Sequence, residues 1–238
     1  MSAGGGDGTI SCAGALAWKS GKLLGIIPAG TMNLYARSLS IPLDIWDAAS
    51  ALAAGTAGQS DIATANGHPF LHQISVGFHP RMVRSRSRYK YASKLGKIGA
   101  SILSAIDTIR RPPVFPVIID CDGEITEREV SAISVSNNPY GEGHLPFADN
   151  ISGGRLGIYI SGPLDTPASA RALADLLLGQ WQANPDIEQR TARRVTLEFP
   201  KPRPRSNCVI DGELAKLQRS VEIEIHPGGL NVLQPAVA

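Results

Sequence analysis

Gly4-Gly5-Gly6-Asp7-Gly8-Thr9 and, further on, Pro28-Ala29-Gly30-Thr31-Met32-Asn33-Leu34-Tyr35-Ala36-Arg37 decide the reading of this chain. The first is a glycine-rich turn carrying one carboxylate and one hydroxyl. Glycine reaches backbone angles closed to other residues and lets main-chain N–H groups come close to an anion. The second is a Gly-Thr turn placed after the apolar run Leu23 to Ile27. Each turn enters a predicted helix. Two such turns supply what nucleotide phosphates need, N–H donors and helix N-termini. Gly5, Gly6, Asp7, Gly8, Thr9, Gly30, Thr31 and Asn33 are therefore the candidate nucleotide-binding residues. Asp7 is the candidate partner of a nucleotide-bound Mg²⁺, an ion that takes a few carboxylates beside phosphate oxygens and water. Taken singly, each turn is equally an ordinary strand-to-helix connection. Thr31 and Asn33 equally suit helix capping, and a capped helix start is also an anion site.

Composition bounds the rest. The 238 residues are 43% hydrophobic and 18% charged, with a formal net charge of +2. That allows one large or two small globular domains and gives no bulk argument for nucleic acid. Cys12, Cys121 and Cys208 are odd in number and widely spaced. They form neither a metal-ligand pattern nor a disulfide framework, which favours a reducing, cytoplasmic compartment. No apolar run approaches the roughly 20 residues that span a bilayer, and the N-terminus lacks the basic and apolar regions of a cleavable signal.

Along the chain, Ile10 to Ser20 reads as a helix and Leu23 to Pro28 as a buried strand. Asn33 to Leu39 reads as a short helix and Leu43 to Ala54 as an alanine-rich helix closed by Gly55. The small, polar stretch Gly55 to Gln59 marks the expected boundary between residues 1–57 and 58–238. The second of these regions reads mostly as β. Phe115 to Asp120 and Ile125 to Ser136 flank Asp122-Gly123, a hairpin signal. Leu156 to Ser161, Val195 to Phe199, Cys208 to Leu214, Val221 to His226 and Leu230 to Leu233 add short strands. Pro167 to Trp181 is a helix expected to start on Thr166. Lys201 to Arg205 reads as a stiff basic linker.

The pair GGDGT and P-x-GT-x-N-x-x-AR resembles the diacylglycerol kinase catalytic-domain family, which includes bacterial lipid kinases and the sphingosine and ceramide kinases. NAD kinases are more distant relatives; the Asn-Leu-Tyr-Ala-Arg continuation argues against them. Asp61-Ile62-Ala63, Asn66 to Leu71, Ser75 to Phe78 and the late Asp211-Gly212-Glu213 carry the resemblance over nearly the whole chain. It implies an α/β nucleotide-binding domain followed by a β-sandwich-like domain with a few helices. It implies ATP and Mg²⁺ as cofactors and transfer of the γ-phosphoryl group to a lipid hydroxyl. Diacylglycerol is the first choice of acceptor and a sphingoid base the alternative. A non-catalytic lipid-binding module is the reading from a different class.

The resemblance also places the catalytic carboxylate in the late acidic motif, with Asp211 the expected base and Glu213 supporting it. Asp122-Gly123-Glu124 repeats the tripeptide but sits at the hairpin instead. Where bacterial members carry Asp-Gly-x-Leu-Asp for a structural Mg²⁺, this chain reads Gly153-Gly154-Arg155-Leu156-Gly157, so that site is expected to be absent. The family places β-α units ahead of the GGDGT turn, whereas Met1 to Ala3 precede it here. The expectation is a nucleotide domain without its front, a turn without the strand that aims it, an open edge inviting a homodimer, and weak ATP binding. Arg81, Arg84, Arg86, Arg88, Lys90, Lys94 and Lys97 contain no acidic residue between them. In a lipid kinase such a run suits peripheral contact with anionic membrane at the inner face, and it suits a solvated helix face as well.

Overall fold

The computed structural model describes residues 1–87, 109–200 and 206–236. The chain opens with β1 (Ser2–Gly5), α1 (Asp7–Ser20), β2 (Gly25–Pro28), α2 (Leu34–Ser38) and α3 (Ile45–Ala53). β1 and β2 pair in parallel, Ala3 against Ile26 and Gly4 against Ile27. The glycine turn therefore keeps a strand that aims it, contrary to expectation. Ser-Ala-Gly-Gly has no strand propensity of its own; its extension follows from pairing with β2. α1 turns its buried Ile10, Ala13, Gly14 and Ala17 inward and stops at Gly21, whose φ of 63° closes the helix. Its Gly14 lies against Leu71, where any added side chain would collide. α3 starts on Asp44, whose carboxylate accepts from the N–H groups of Trp46 and Asp47.

Fourteen strands form the structure in all among the described residues. After β3 (Thr56–Ala65), β4 (His68–Phe70) and β5 (Gln73–Gly77) comes helix α4 (Phe78–Ser87). β6 (Phe115–Cys121), β7 (Glu124–Val130), β8 (Ala132–Ser136) and β9 (Leu156–Ser161) come next. Then come α5 (Thr166–Leu178), β10 (Ile187–Ala192), β11 (Arg194–Glu198), β12 (Asn207–Ile210), β13 (Glu213–Lys216) and β14 (Ser220–Gln234). Two six-stranded antiparallel sheets result, ordered β10-β9-β8-β5-β12-β13 and β4-β3-β14-β11-β6-β7. Their inner faces make one apolar core through residues such as Phe70, Ile119, Ile133, Ile158, Leu197 and Ile223. Truncating a side chain as buried as Ile223 to Ala would cost about 2–5 kcal/mol.

The long strand β14 shows how the halves join. Val221, Ile223 and Ile225 face the sandwich core, while Glu222 and Glu224 alternate with them. A register shift between His226 and Leu230 interrupts the pairing with β3. Beyond it, Leu230 and Val232 enter a second core with Ile62, Leu71 and residues of α1, β2, α2 and α3. The sheet face that is wet at one end is covered by the nucleotide-side helices at the other. The two strands expected at Val221 to His226 and Leu230 to Leu233 are thus one bulged strand. Of the stretch Gly55 to Gln59, all but Gly55 is already β3, paired with β14. Helix α5 starts on Asp165, not Thr166, because Asp165 Oδ1 reaches the N–H of Ala168 at 2.8 Å; Pro167 occupies the first turn. The linker at 201–205 and the basic residues from Arg88 to Lys97 lie outside the described residues.

Candidate functional site

The site begins where β1 delivers Gly6 to the start of α1. No side chain caps that start, so the first-turn N–H groups of Asp7, Gly8 and Thr9 point outward without a capping partner among the described residues. The Thr9 side chain covers Gly5, and a Cβ on Gly5 would strike it. Gly6 and Gly30 touch backbone to backbone, so a side chain on Gly30 would overlap Gly6. The two turns singled out in the sequence are therefore one surface. It is made of glycine because only glycine permits the approach.

Asp7 does not point at open space. Its carboxylate accepts from the backbone N–H groups of Asn33 at 3.0 Å and Leu34 at 2.6 Å. Asn33 adopts φ 50° and closes its own turn, Oδ1 accepting from Gly30 N and Nδ2 donating to the Gly30 carbonyl. Asp7 thereby locks the second turn onto the first. Each of its oxygens accepts one bond, which leaves capacity for an ion carried in by phosphates. Thr31 is exposed.

The acidic motif sits opposite. Asp211 and Gly212, at φ 45° and 89°, form the tight turn joining β12 to β13. The Asp211 side chain is buried, with 7% of the residue exposed. Its Oδ1 accepts from His72 N and Gln73 N, both at 2.9 Å. Its Oδ2 accepts from Leu71 N at 2.8 Å and from the Ser11 hydroxyl at 2.5 Å. Ser11 belongs to α1, so this one carboxylate ties the nucleotide-side helix to the sandwich. Glu213 is exposed, and a Cβ on Gly8 would lie 3.5 Å from its Oε1. A free carboxylate thus stands beside the uncapped helix start.

Ser11 and His72 were not named as site residues from the sequence, and Asp61 entered only as part of a motif carrying the family resemblance. Asp61 is fully buried. Its carboxylate accepts from Asn138 Nδ2, Gly154 N and Gly228 N. It so pins the Gly153-Gly154 turn and the β14 bulge, which spacing alone does not reveal. Arg155 beside that turn bonds Thr191 through its guanidinium and side-chain Nε. Burial lowers the His72 pKa, against the opposing pull of Asp211 and Asp7. Burial likewise drives His79 down to about 4, with His72 adding to the effect. No cluster of three or more metal-ligating side chains occurs among the described residues.

Comparison with known proteins agrees with this layout. Residues 1–65 match the model of the diacylglycerol kinase catalytic domain. Residues 72–234 match that of the YegS C-terminal NAD kinase beta sandwich-like domain. The chain is 30% identical to an uncharacterised protein of Synechocystis sp., covering 98% of itself and 54% of that protein. It is 25% identical to a "Putative lipid kinase" of Staphylococcus epidermidis, covering 96% of itself and 74% of that protein. The chain thus spans about half of the cyanobacterial relative and three quarters of the staphylococcal one. The crystal structure of a "putative diacylglycerol kinase" from Bacillus anthracis matches 99% of this chain and 77% of its own, with a TM-score of 0.74 at 26% identity.

Proposed function

The chain belongs to the diacylglycerol kinase catalytic-domain family, and we propose that it serves transfer of the γ-phosphoryl group of ATP to a lipid hydroxyl. Diacylglycerol is the acceptor that the family's description supplies. One observation carries the reading: the fused glycine turns and the uncapped start of α1 face a hairpin whose Glu213 stands beside Gly8. Backbone N–H groups there suit the phosphates, and a carboxylate beside them suits an acceptor hydroxyl that must lose its proton.

The hydrogen bonds divide the acidic motif. Asp211 accepts four, three of them from backbone N–H groups. A group so engaged holds the hairpin in place and has little capacity left for a substrate proton. The accepting role expected of Asp211 falls to Glu213, and Asp211 positions it. Gly5, Gly6, Gly8, Thr9, Gly30 and Thr31 border the phosphates. Asp7 and Asn33 keep the two turns in register, with Asp7 the group to hold nucleotide-bound Mg²⁺. That ion, when bound, offsets the charge on the transferring phosphoryl oxygens. Among the described residues no helix is long and apolar enough to cross a membrane. The basic run of residues 81–97 suits peripheral contact with an anionic surface.

The test is transfer of label from γ-labelled ATP to dioleoylglycerol in mixed micelles, with NAD as a second acceptor. Label in the lipid supports the reading. Label in NAD alone, or in neither, overturns it.

A further inference from the structure

A cavity of about 10 Å³, open on one side, lies where α2 meets the sandwich. Tyr35 and Ser38 line it from the nucleotide side, and His72, Asn137 and Tyr140 from the other. Two of these side chains carry buried polar atoms without a hydrogen-bond partner among the described residues, His72 Nε2 and Asn137 Oδ1. Asn137 is 3% exposed. Its amide is not free to turn, because Nδ2 donates to the Asp61 carbonyl at 2.9 Å. Its Oδ1 is therefore an acceptor that lacks a donor. The His72 ring is held as well, stacked on Tyr140 at 5.4 Å, which stacks on Tyr159 at 4.8 Å.

Buried polar atoms are almost always bonded, so two orphans on residues that line one opening need an explanation. The space accommodates a single oxygen-sized group. A hydroxyl both donates and accepts. Donating to Asn137 Oδ1, it accepts from His72 in its Nε2–H tautomer, a pairing that neither an ammonium nor an ester oxygen can make. The backbone N–H of His72 bonds Asp211 at 2.9 Å. The cavity thus adjoins the turn of the hairpin that carries Glu213.

We propose that this cavity is a head-group subsite that takes one hydroxyl of the acceptor lipid, next to the hydroxyl that is phosphorylated. The inference rests on the lipid-kinase reading and narrows its substrate class. It favours a lipid with two neighbouring free hydroxyls, such as a monoacylglycerol. Diacylglycerol offers only ester oxygens beside its one hydroxyl.

The experiment compares 1-monooleoylglycerol, 1,2-dioleoylglycerol and sphingosine in mixed micelles, with the chain and with His72→Phe, which keeps the ring stacked. One hydrogen bond lost or gained corresponds to about a tenfold change in KM. The chain should show a KM about tenfold lower for monooleoylglycerol than for dioleoylglycerol. His72→Phe should erase that difference and leave the KM for ATP unchanged. Equal KM values in the chain, a preference for sphingosine, or a ratio untouched by His72→Phe would each overturn the subsite. A second measurement keeps the two readings apart. The ring ¹⁵N signals of His72 are followed in the intact chain while each lipid is titrated. If no lipid is phosphorylated, the kinase reading fails; a shift with monooleoylglycerol alone still supports the subsite. No shift with any lipid means a resident water only, and the proposal fails.

Discussion

Asp122-Gly123-Glu124 and Asp211-Gly212-Glu213 are the same tripeptide at the same kind of place. Each turns a hairpin, β6 to β7 and β12 to β13, with Asp φ values of 52° and 45° and Gly values of 96° and 89°. In each, the aspartate reaches back to the main chain of a neighbouring segment. Asp122 accepts from Arg193 N and Arg194 N, and Asp211 from Leu71, His72 and Gln73. The surroundings then part. The Asp122 side chain is 41% exposed, and Glu124 is 72% exposed in an ion pair with Arg190. Asp211 is buried and bonded to Ser11 of α1, and Glu213 looks toward the glycine turn. The tripeptide specifies a turn. What the topology sets opposite that turn decides what its carboxylates can meet.

Stability separates the pair most sharply. Asp211→Ala leaves three backbone N–H groups and a hydroxyl without their acceptor, a loss of at least about 3 kcal/mol. Asp122→Ala uncovers groups that water reaches and should cost under about 1 kcal/mol. Urea unfolding of the two variants measures the gap; equal midpoints would erase the distinction.

The next effect comes from pH. His79 packs under the Asp211 half, where its Nδ1 lies 2.8 Å from the Ser75 hydroxyl. Its pKa, about 4 when folded, lies below the ordinary 6.5 because burial disfavours the charged ring. The unfolded chain therefore binds the extra proton first. The stability that neutral His79 contributes is complete above pH 6.5 and falls as pH drops toward 4, by about 2 kcal/mol at pH 5. His79→Gln should flatten the stability profile between pH 6.5 and 5. An unchanged slope would place the sensitivity elsewhere. Smallest is Ser11→Ala, which removes one hydroxyl from Asp211 and should cost about 1 kcal/mol, read in the same urea series. A null result there would leave the backbone N–H groups alone holding the carboxylate.

These contrasts mark what the sequence made legible. The glycine turns, the Asp122-Gly123 hairpin and the alternation at Val221 to Ile225 are local signals, and each appears where it was read; Cys208 to Leu214, read as one strand, is instead split by Asp211-Gly212 into β12 and β13. The family resemblance supplied the order of the two halves. β1 was not legible, because Ser-Ala-Gly-Gly becomes a strand only through its neighbour β2. The hydrogen bonds of Asp211 were not legible either. They join residues nearly 140 positions apart, as Gln73 and Asp211 are, and the pattern within one segment carries no trace of them. The resemblance named Asp211 as the base without sight of these bonds, and they are the ground on which we propose Glu213 for that role.

The central claim is that the later hairpin, through Glu213, is where phosphoryl transfer takes place. The direct measurement pairs Glu213→Gln with Glu124→Gln in the labelled-ATP assay, each checked for its urea midpoint. Glu213→Gln should lower turnover by about 10²–10⁴, as loss of a proton acceptor does, with an unchanged midpoint. Glu124→Gln should leave turnover as it is. Equal losses in the two variants, or full activity in Glu213→Gln, would contradict the account.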